Sequence, residues 1–236
     1  MNTNSNTYTF LFAIGLVTIV AGILAFLATS LKQQQDDNVR NEKMQNILST
    51  IGVVKTRDEA GAVYKDFIKK ELAVKIDGTV DESVNAFTIN LKNEIKKDPS
   101  EQRFPIYLAE KEGKTIYVVP LQGGGLWGPI WGYFSIDADE NTVTGCVFDH
   151  AAETPGLGAE IRESWFEEQF IGKQFLKKTG DFTASNYVSI RTVKGGAKAG
   201  DKNAVDAISG GTVTSDFLSD MIEERMSRYL AYFENN

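Results

Sequence analysis

No aspartate, glutamate, lysine or arginine occurs before Lys32, and from Tyr8 to Leu31 the chain is a nearly unbroken run of Phe, Leu, Ile, Val, Ala and Gly. A run of that length and composition is roughly 36 Å long as a helix, enough to cross a hydrocarbon core of about 30 Å with some tilt. Secretory signals carry a basic start and a shorter apolar core of about 7–15 residues. The opening MNTNSNT has no Lys or Arg, and Ala28-Thr29-Ser30 is only a faint likeness of a cleavage site. The reading is a short tail over 1–7 and a permanent single-span transmembrane helix over 8–31.

Everything charged lies beyond that run: 32 acidic and 25 basic residues, net −7. A basic footprint is missing, so nucleic acid is not an expected partner. One cysteine, Cys146, and one histidine, His150, exclude an internal disulfide, a cysteine-ligated cluster and a histidine-based metal centre. No metal site and no catalytic side chain is therefore expected, and redox chemistry has to come from a cofactor. Lys32, Arg40 and Lys43 follow the span while no Lys or Arg precedes it. Taken literally, that bias puts the large domain in the cytoplasm, although long domains translocate largely regardless of charge.

Residues 32–100 read as a mainly helical connecting region and 101–236 as the principal domain. Lys32 to Asn41 is polar and Gln-rich, a linker or exposed turn. Met44, Ile47, Leu48 and Ile51 recur at helical spacing before Gly52, a C-cap. Thr56 and Glu59 form a capping-box pattern, opening a helix whose apolar face includes Val63, Phe67, Ile68 and Leu72. Phe104–Ala109 and Thr115–Val119 read as a hairpin, with further strands at Ile130–Ile136, Thr142–Phe148 and Tyr187–Val193. Helices are expected over Ala159–Phe170 and Thr212–Phe233, the last with Phe217, Met221, Met226, Tyr229, Leu230 and Phe233 as core contacts. Short strands followed by helices predict an α+β fold: an N-terminal transmembrane helix, then a domain of mixed strands and helices.

The densest chemistry is near the C-terminus, in Asp206-Ala207-Ile208-Ser209-Gly210-Gly211-Thr212-Val213-Thr214-Ser215. Paired glycines allow close backbone approach, and hydroxyl residues at a helix start leave N–H groups that favour a phosphate. An ordinary capped helix after a glycine turn fits the same spacing. Two further glycine-rich segments precede it, Gly123-Gly124-Gly125-Leu126-Trp127 and Glu153-Thr154-Pro155-Gly156-Leu157-Gly158.

The run Asp206, Ser209, Gly210, Gly211, Thr212, Thr214 resembles the flavinylation motif of the FMN-binding domain family, Asp-x-x-Ser-Gly-Ala-Thr-x-Thr/Ser, with Gly211 in place of the usual alanine. Asp81-Glu82-Ser83-Val84-Asn85-Ala86-Phe87, Gly125-Leu126-Trp127 with Tyr133, the Glu153–Gly158 loop and Val193-Lys194-Gly195-Gly196-Ala197 extend the likeness over nearly the whole chain. Together they resemble the C subunits of Na+-translocating NADH:quinone oxidoreductases. The resemblance implies FMN joined by a phosphoester to Thr214, installed from FAD by a separate Mg-dependent flavin transferase. It further implies a complex of six different subunits in the bacterial inner membrane, with the flavin domain on the periplasmic side, against the charge bias. There the flavin relays electrons from NADH towards quinone, coupled to Na+ export, while NADH is oxidised on another subunit. The G subunit of an Rnf-type ferredoxin:NAD oxidoreductase shares the motif. A membrane-anchored flavin module without enzymatic role is a third reading.

The cofactor-binding set implied is Thr214 with Ser209, Gly210, Gly211, Thr212 and Val213, together with Thr154, Gly156, Leu157, Trp127 and Lys194. Trp127, Leu157 and Thr154 are candidates to pack on the ring, against plain core or helix-entry roles. Lys194 could sit near flavin or phosphate, or be an ordinary solvated lysine. Glu153 could contact the ring or the phosphate-side backbone, or serve only a helix dipole. A threonine hydroxyl needs an activating partner. None is evident beside Thr214 in the sequence, which suits an external transferase. Cys146 and His150 read as structural.

Overall fold

The structure is a computed structural model that describes residues 5–236; the first four residues of the expected tail lie outside the described residues. The fold is α+β, as expected, and the chain divides into two compact units, Met1–Lys43 and Met44–Asn236. Helix α1, Asn6–Thr50, runs through the whole of the expected tail end, span and linker. The polar stretch is helical because no glycine or proline interrupts it between Gly22 and Gly52, and Gln, Lys and Glu are good helix formers. Its most apolar 18-residue window has a mean hydropathy of 2.7, and none of that window is buried.

Within the second unit α1 ends as the sequence indicates. Gly52 takes φ 72°, its N–H reaches Ser49 O, and Val53 N–H reaches Leu48 O. This double closure is a Schellman cap, which glycine favours because it has no Cβ. The capping box at Thr56 and Glu59 also forms, opening α2, Arg57–Phe67. The expected helix does not continue through Ile68 and Leu72. Those residues belong to β1, Ile68–Val74, which pairs antiparallel with β2, Phe104–Lys111. A long-range ladder here overrides a helical spacing that was locally plausible. β1 lies in the stretch expected as a connection, so the sheet runs across residue 100. Between β1 and β2, a 3₁₀ turn at Ala86–Thr88 and the short α3, Leu91–Glu94, account for the mixed pattern.

β3 (Lys114–Gly124), β4 (Pro129–Ile136) and β5 (Val143–His150) complete a five-stranded antiparallel meander in sequence order. The β2–β3 hairpin turns at Glu112 and Gly113, both with positive φ. Both sheet faces are covered. Phe104, Ile106, Leu121, Phe134 and Phe148 face one core with Leu218, Met221, Ile222 and Tyr229. Tyr107, Ala109, Val118 and Tyr133 face the other, with Ile47, Leu48 and Tyr64. Burial on both faces explains strands that read as runs rather than strict alternation.

After β5 the expected helix is broken into a 3₁₀ segment at Gly158–Arg162, α4 (Ser164–Glu167) and a last 3₁₀ turn at Glu168–Phe170. The expected strand at Tyr187–Val193 shortens to β6, Arg191–Val193, because Ser189 stands at φ 60° and interrupts the extended backbone. β6 pairs in parallel with β7, Ala204–Asp206. The last helix splits into α5, Thr212–Ser227, and α6, Leu230–Glu234. Met221, Met226, Tyr229 and Phe233 are buried as expected, whereas Phe217 is exposed and Leu230 half-buried.

Candidate functional site

Three loops meet at the amino end of α5. The first leaves β3 at Gly124 and closes when Gly125 N–H donates to Gly128 O, leaving Trp127 65% exposed at its tip. The second follows β5. Ala151 N–H bonds Pro129 O, which holds its start against β4, and the N–H groups of Leu157 and Ala159 both donate to Thr154 O. The third is the glycine turn before α5, with Gly210 at φ 76°.

Glu153 ties them together. It is only 4% exposed; its Oε1 accepts from Trp127 N–H at 2.9 Å and its Oε2 accepts from Thr214 Oγ1 at 2.7 Å. The Glu153 N–H donates to His150 Nδ1 at 3.2 Å, so the single histidine orients the residue that holds Thr214. Among the described residues no cation forms an ion pair with Glu153. A desolvated carboxylate is expensive unless its oxygens are bonded. Here the two donors, an amide and the Thr214 hydroxyl, supply those bonds. The sequence shows no partner beside Thr214 because the carboxylate that its hydroxyl meets is 61 residues away in the chain.

Small residues make this contact possible. A Cβ on Gly158 would overlap both Glu153 Oε2 and Thr214 Oγ1, and one on Gly125 would come within 2.6 Å of Glu153 Oε1. A Cβ on Gly210 would lie 2.7 Å from Leu157 Cδ2, so the second and third loops interlock through Leu157. Thr214 itself is 2% exposed.

The hydroxyls of the motif divide by role. Ser215 Oγ accepts from Ile208 N–H at 3.1 Å and donates to Gly211 O at 3.0 Å, bracing the turn from inside. Gly211 is the N-cap of α5 and provides no side-chain cap. The first helical bond is Ser215 N–H to Gly211 O, which leaves the amides of Thr212, Val213 and Thr214 without carbonyls inside the helix. Val213 and Ser209 are exposed and Thr212 is half-buried. Asp206, first residue of the motif, sits away from Thr214: its Oδ1 accepts from Ala197 N–H at 2.7 Å and thereby pins the Lys194–Gly196 turn. Lys194 is exposed on that turn, which joins the motif through the bond from Ala207 N–H to Val193 O. Thr154 and Gly156 are exposed, and Gly156 has φ 75°.

The other resembling motif, Asp81–Phe87, is scaffold. Asp81 pairs with Arg103 at 2.8 Å and accepts from Ser83; those hydrogen bonds hold its carboxyl down at about 2. Cys146 is buried, its thiol pushed up by burial. A cavity of about 500 Å³ lined by Thr50, Lys111, Cys146 and Glu167 shares no residue with the three loops.

The residues present fit a flavin mononucleotide. The amino end of α5 favours a negative phosphate charge, worth about 0.3–1 kcal/mol when exposed. Trp127, Leu157 and Val213 are exposed apolar side chains beside it, suited to a flat ring. Glycines at 158, 210 and 211 let the loops pack closely around Thr214 and Leu157.

The FMN-binding domain model matches residues 125–227, a range containing all three loops and α5. The chain is 31% identical to the C subunit of the Na(+)-translocating NADH-quinone reductase of Haemophilus ducreyi over 230 residues, 91% of this chain and 87% of that protein. To the corresponding protein of Vibrio anguillarum it is 29% identical over 238 residues, 91% and 88% of the two chains. Among solved structures it is similar to the C subunit of the Na(+)-translocating NADH-quinone reductase from Parabacteroides distasonis, with a TM-score of 0.77 and 36% identity over 86% of this chain and 96% of that one. Shewanella oneidensis NqrC gives 0.68 and 27%, over 83% and 96%.

Proposed function

The chain belongs to the family of C subunits of Na+-translocating NADH-quinone reductases, and from that premise we propose that it carries FMN as a phosphoester on Thr214 and relays electrons from NADH towards quinone. The observation that carries this reading is the Thr214 hydroxyl held on a buried carboxylate at the amino end of α5, beneath a glycine-rich loop. Among the hydroxyls of the motif, Ser215 is committed to bracing its own turn. Thr214 is the one engaged by a group able to accept its proton.

Bound FMN supplies one- and two-electron transfer. This chain's part would be to hold it: the free amides of Thr212 to Thr214 would serve the phosphate charge, and Trp127, Leu157 and Thr154 would pack on the ring. Lys194, exposed on the neighbouring turn, would supply a cation for the reduced flavin. A covalent link removes the need for tight non-covalent binding, so the ring can stay partly exposed for exchange with neighbouring subunits. The partners are the other five subunits of a reductase of six and, during maturation, a flavin transferase that uses FAD. The anchor is the apolar part of α1, with the flavin domain on the periplasmic side of the inner membrane. No acidic or basic residue lies in the span, so Na+ movement belongs to other subunits.

Membranes from cells lacking this protein test the assignment. NADH-driven quinone reduction coupled to Na+ uptake into vesicles should disappear and return with the intact gene; undiminished activity would refute it.

A further inference from the structure

We infer that Glu153 is the catalytic base for attachment of the flavin to Thr214, so that the acceptor protein brings its own proton acceptor to the transfer. The inference rests on the reading of Thr214 as the attachment site. Its footing is separate: the position of a carboxylate oxygen relative to a hydroxyl.

Three features of that position matter. Thr214 Oγ1 donates to Glu153 Oε2 at 2.7 Å, inside the range for proton transfer between heavy atoms. The second carboxylate oxygen is occupied by Trp127 N–H at 2.9 Å, and the Glu153 main chain by His150, so the carboxylate is held from both ends. Gly158 lies so close that any side chain there would overlap both reacting groups, which keeps the pair dry and in contact. A carboxylate serving only a helix dipole would need neither the aim at one hydroxyl nor the second anchor.

The step balances within the donor already named. As Thr214 Oγ forms its bond to the FMN phosphorus of FAD, the Oγ–H bond breaks and its proton passes to Glu153 Oε2. The pyrophosphate P–O bond on the adenylate side of that phosphorus breaks, and AMP leaves with the bridging oxygen and the electron pair. The product then makes chemical sense of the site. An ionised Glu153 would face the new phosphodiester across a hydrogen-bond distance with no proton between them. Protonated Glu153 instead donates back to a phosphoester oxygen, reversing the direction of the original bond.

The test uses full-length protein in detergent with purified flavin transferase, Mg2+ and FAD. Covalent incorporation is followed by fluorescence of the denatured band and by mass. Glu153→Gln keeps the shape and a hydrogen-bonding group but accepts no proton. Its initial rate should fall by about 100-fold or more, the usual contribution of a general base. Equal rates for the two chains would overturn the inference and put the base on the transferase. Should the variant fail to fold, the wild type still decides: the infrared difference spectrum on flavinylation should gain a protonated-carboxyl band that shifts with 13C-labelled glutamate. Absence of that band overturns the inference. Flavin on a Thr214→Ala chain would instead refute the attachment site beneath it, a separate failure.

Discussion

Thr214 and Glu153, 61 residues apart in sequence, meet in a buried 2.7 Å hydrogen bond that joins the amino end of α5 to the loop after β5. The contact depends on β4 beginning where β5 ends, since β5 finishes at His150 and its partner in β4 is Ile130. It therefore reports on the sheet as much as on the helix, and changes on either side should be felt at the other.

Thr214→Ala should abolish covalent flavin and leave the domain folded. Glu153 Oε2 loses its donor in a buried setting, so a loss of about 1–3 kcal/mol is expected. Fluorescence of the denatured band, mass spectrometry of the tryptic peptide and a urea titration check both halves.

Gly158→Ala should be worse for the site than its size suggests. The new methyl overlaps Glu153 Oε2 and Thr214 Oγ1, so the pair must separate. Overpacking of this kind costs about 1–3 kcal/mol. Flavin incorporation should drop sharply, while Gly124→Ala, where nothing lies within 4 Å of the added carbon, should incorporate normally. Equal incorporation by the two would show that the Gly158 contact does not matter.

Ser215→Ala should destabilise without removing flavin. Its hydroxyl serves Ile208 N–H and Gly211 O from a fully buried position, and an orphaned buried amide costs about 1–3 kcal/mol. A lowered Tm with full fluorescence is the expected result. Loss of the covalent flavin from a folded Ser215→Ala chain would reassign the site.

Glu167 should make stability fall as pH rises towards neutrality. Burial, with smaller contributions from Glu163 and Asp149, lifts its carboxyl to about 7 despite the hydrogen bond from Phe148 N–H. The folded state thus holds a proton that the unfolded chain releases in the ordinary glutamate range. The contribution is present in full at low pH and is lost as pH climbs through that range to about 7. A tenfold difference in proton affinity is about 1.4 kcal/mol, and partial exposure reduces the total to on the order of 1–2 kcal/mol. Glu167→Gln should flatten this limb in denaturant midpoints measured between pH 4 and 8; an unchanged slope would assign the dependence elsewhere.

Local structure was legible wherever a short segment states its own case. The Gly52 stop, the Thr56–Glu59 box and the β2–β3 hairpin each depend on residues within a few positions of one another. Segments whose state is decided by a distant partner were not. Ile68 and Leu72 are four residues apart, as Val63 and Phe67 are, and read as one helix face, yet they pair with Ala109 and Ile106. Phe217 continues the apolar spacing of α5 but is exposed, as Val213 one turn earlier is. Of the site itself, the motif and the glycine loops could be read in advance, while the roles of Glu153 and His150 could not. An acid just before a Thr-Pro-Gly turn and a lone histidine three residues earlier are the only traces they leave in the chain.

The sequence alone determined that the chain begins with an uncharged apolar run long enough to span a bilayer, that any redox chemistry must be borrowed, and that Asp206–Ser215 is suited to phosphate. Those follow from composition and spacing, which act locally. Tertiary structure decided which hydroxyl of the motif meets a buried carboxylate. Folding buries Thr214 against Glu153, turns Ser215 inward to brace its own loop and leaves Ser209 in water. Reactivity of a hydroxyl depends on what lies within about 3 Å of it, and at this site that neighbour comes from another part of the chain.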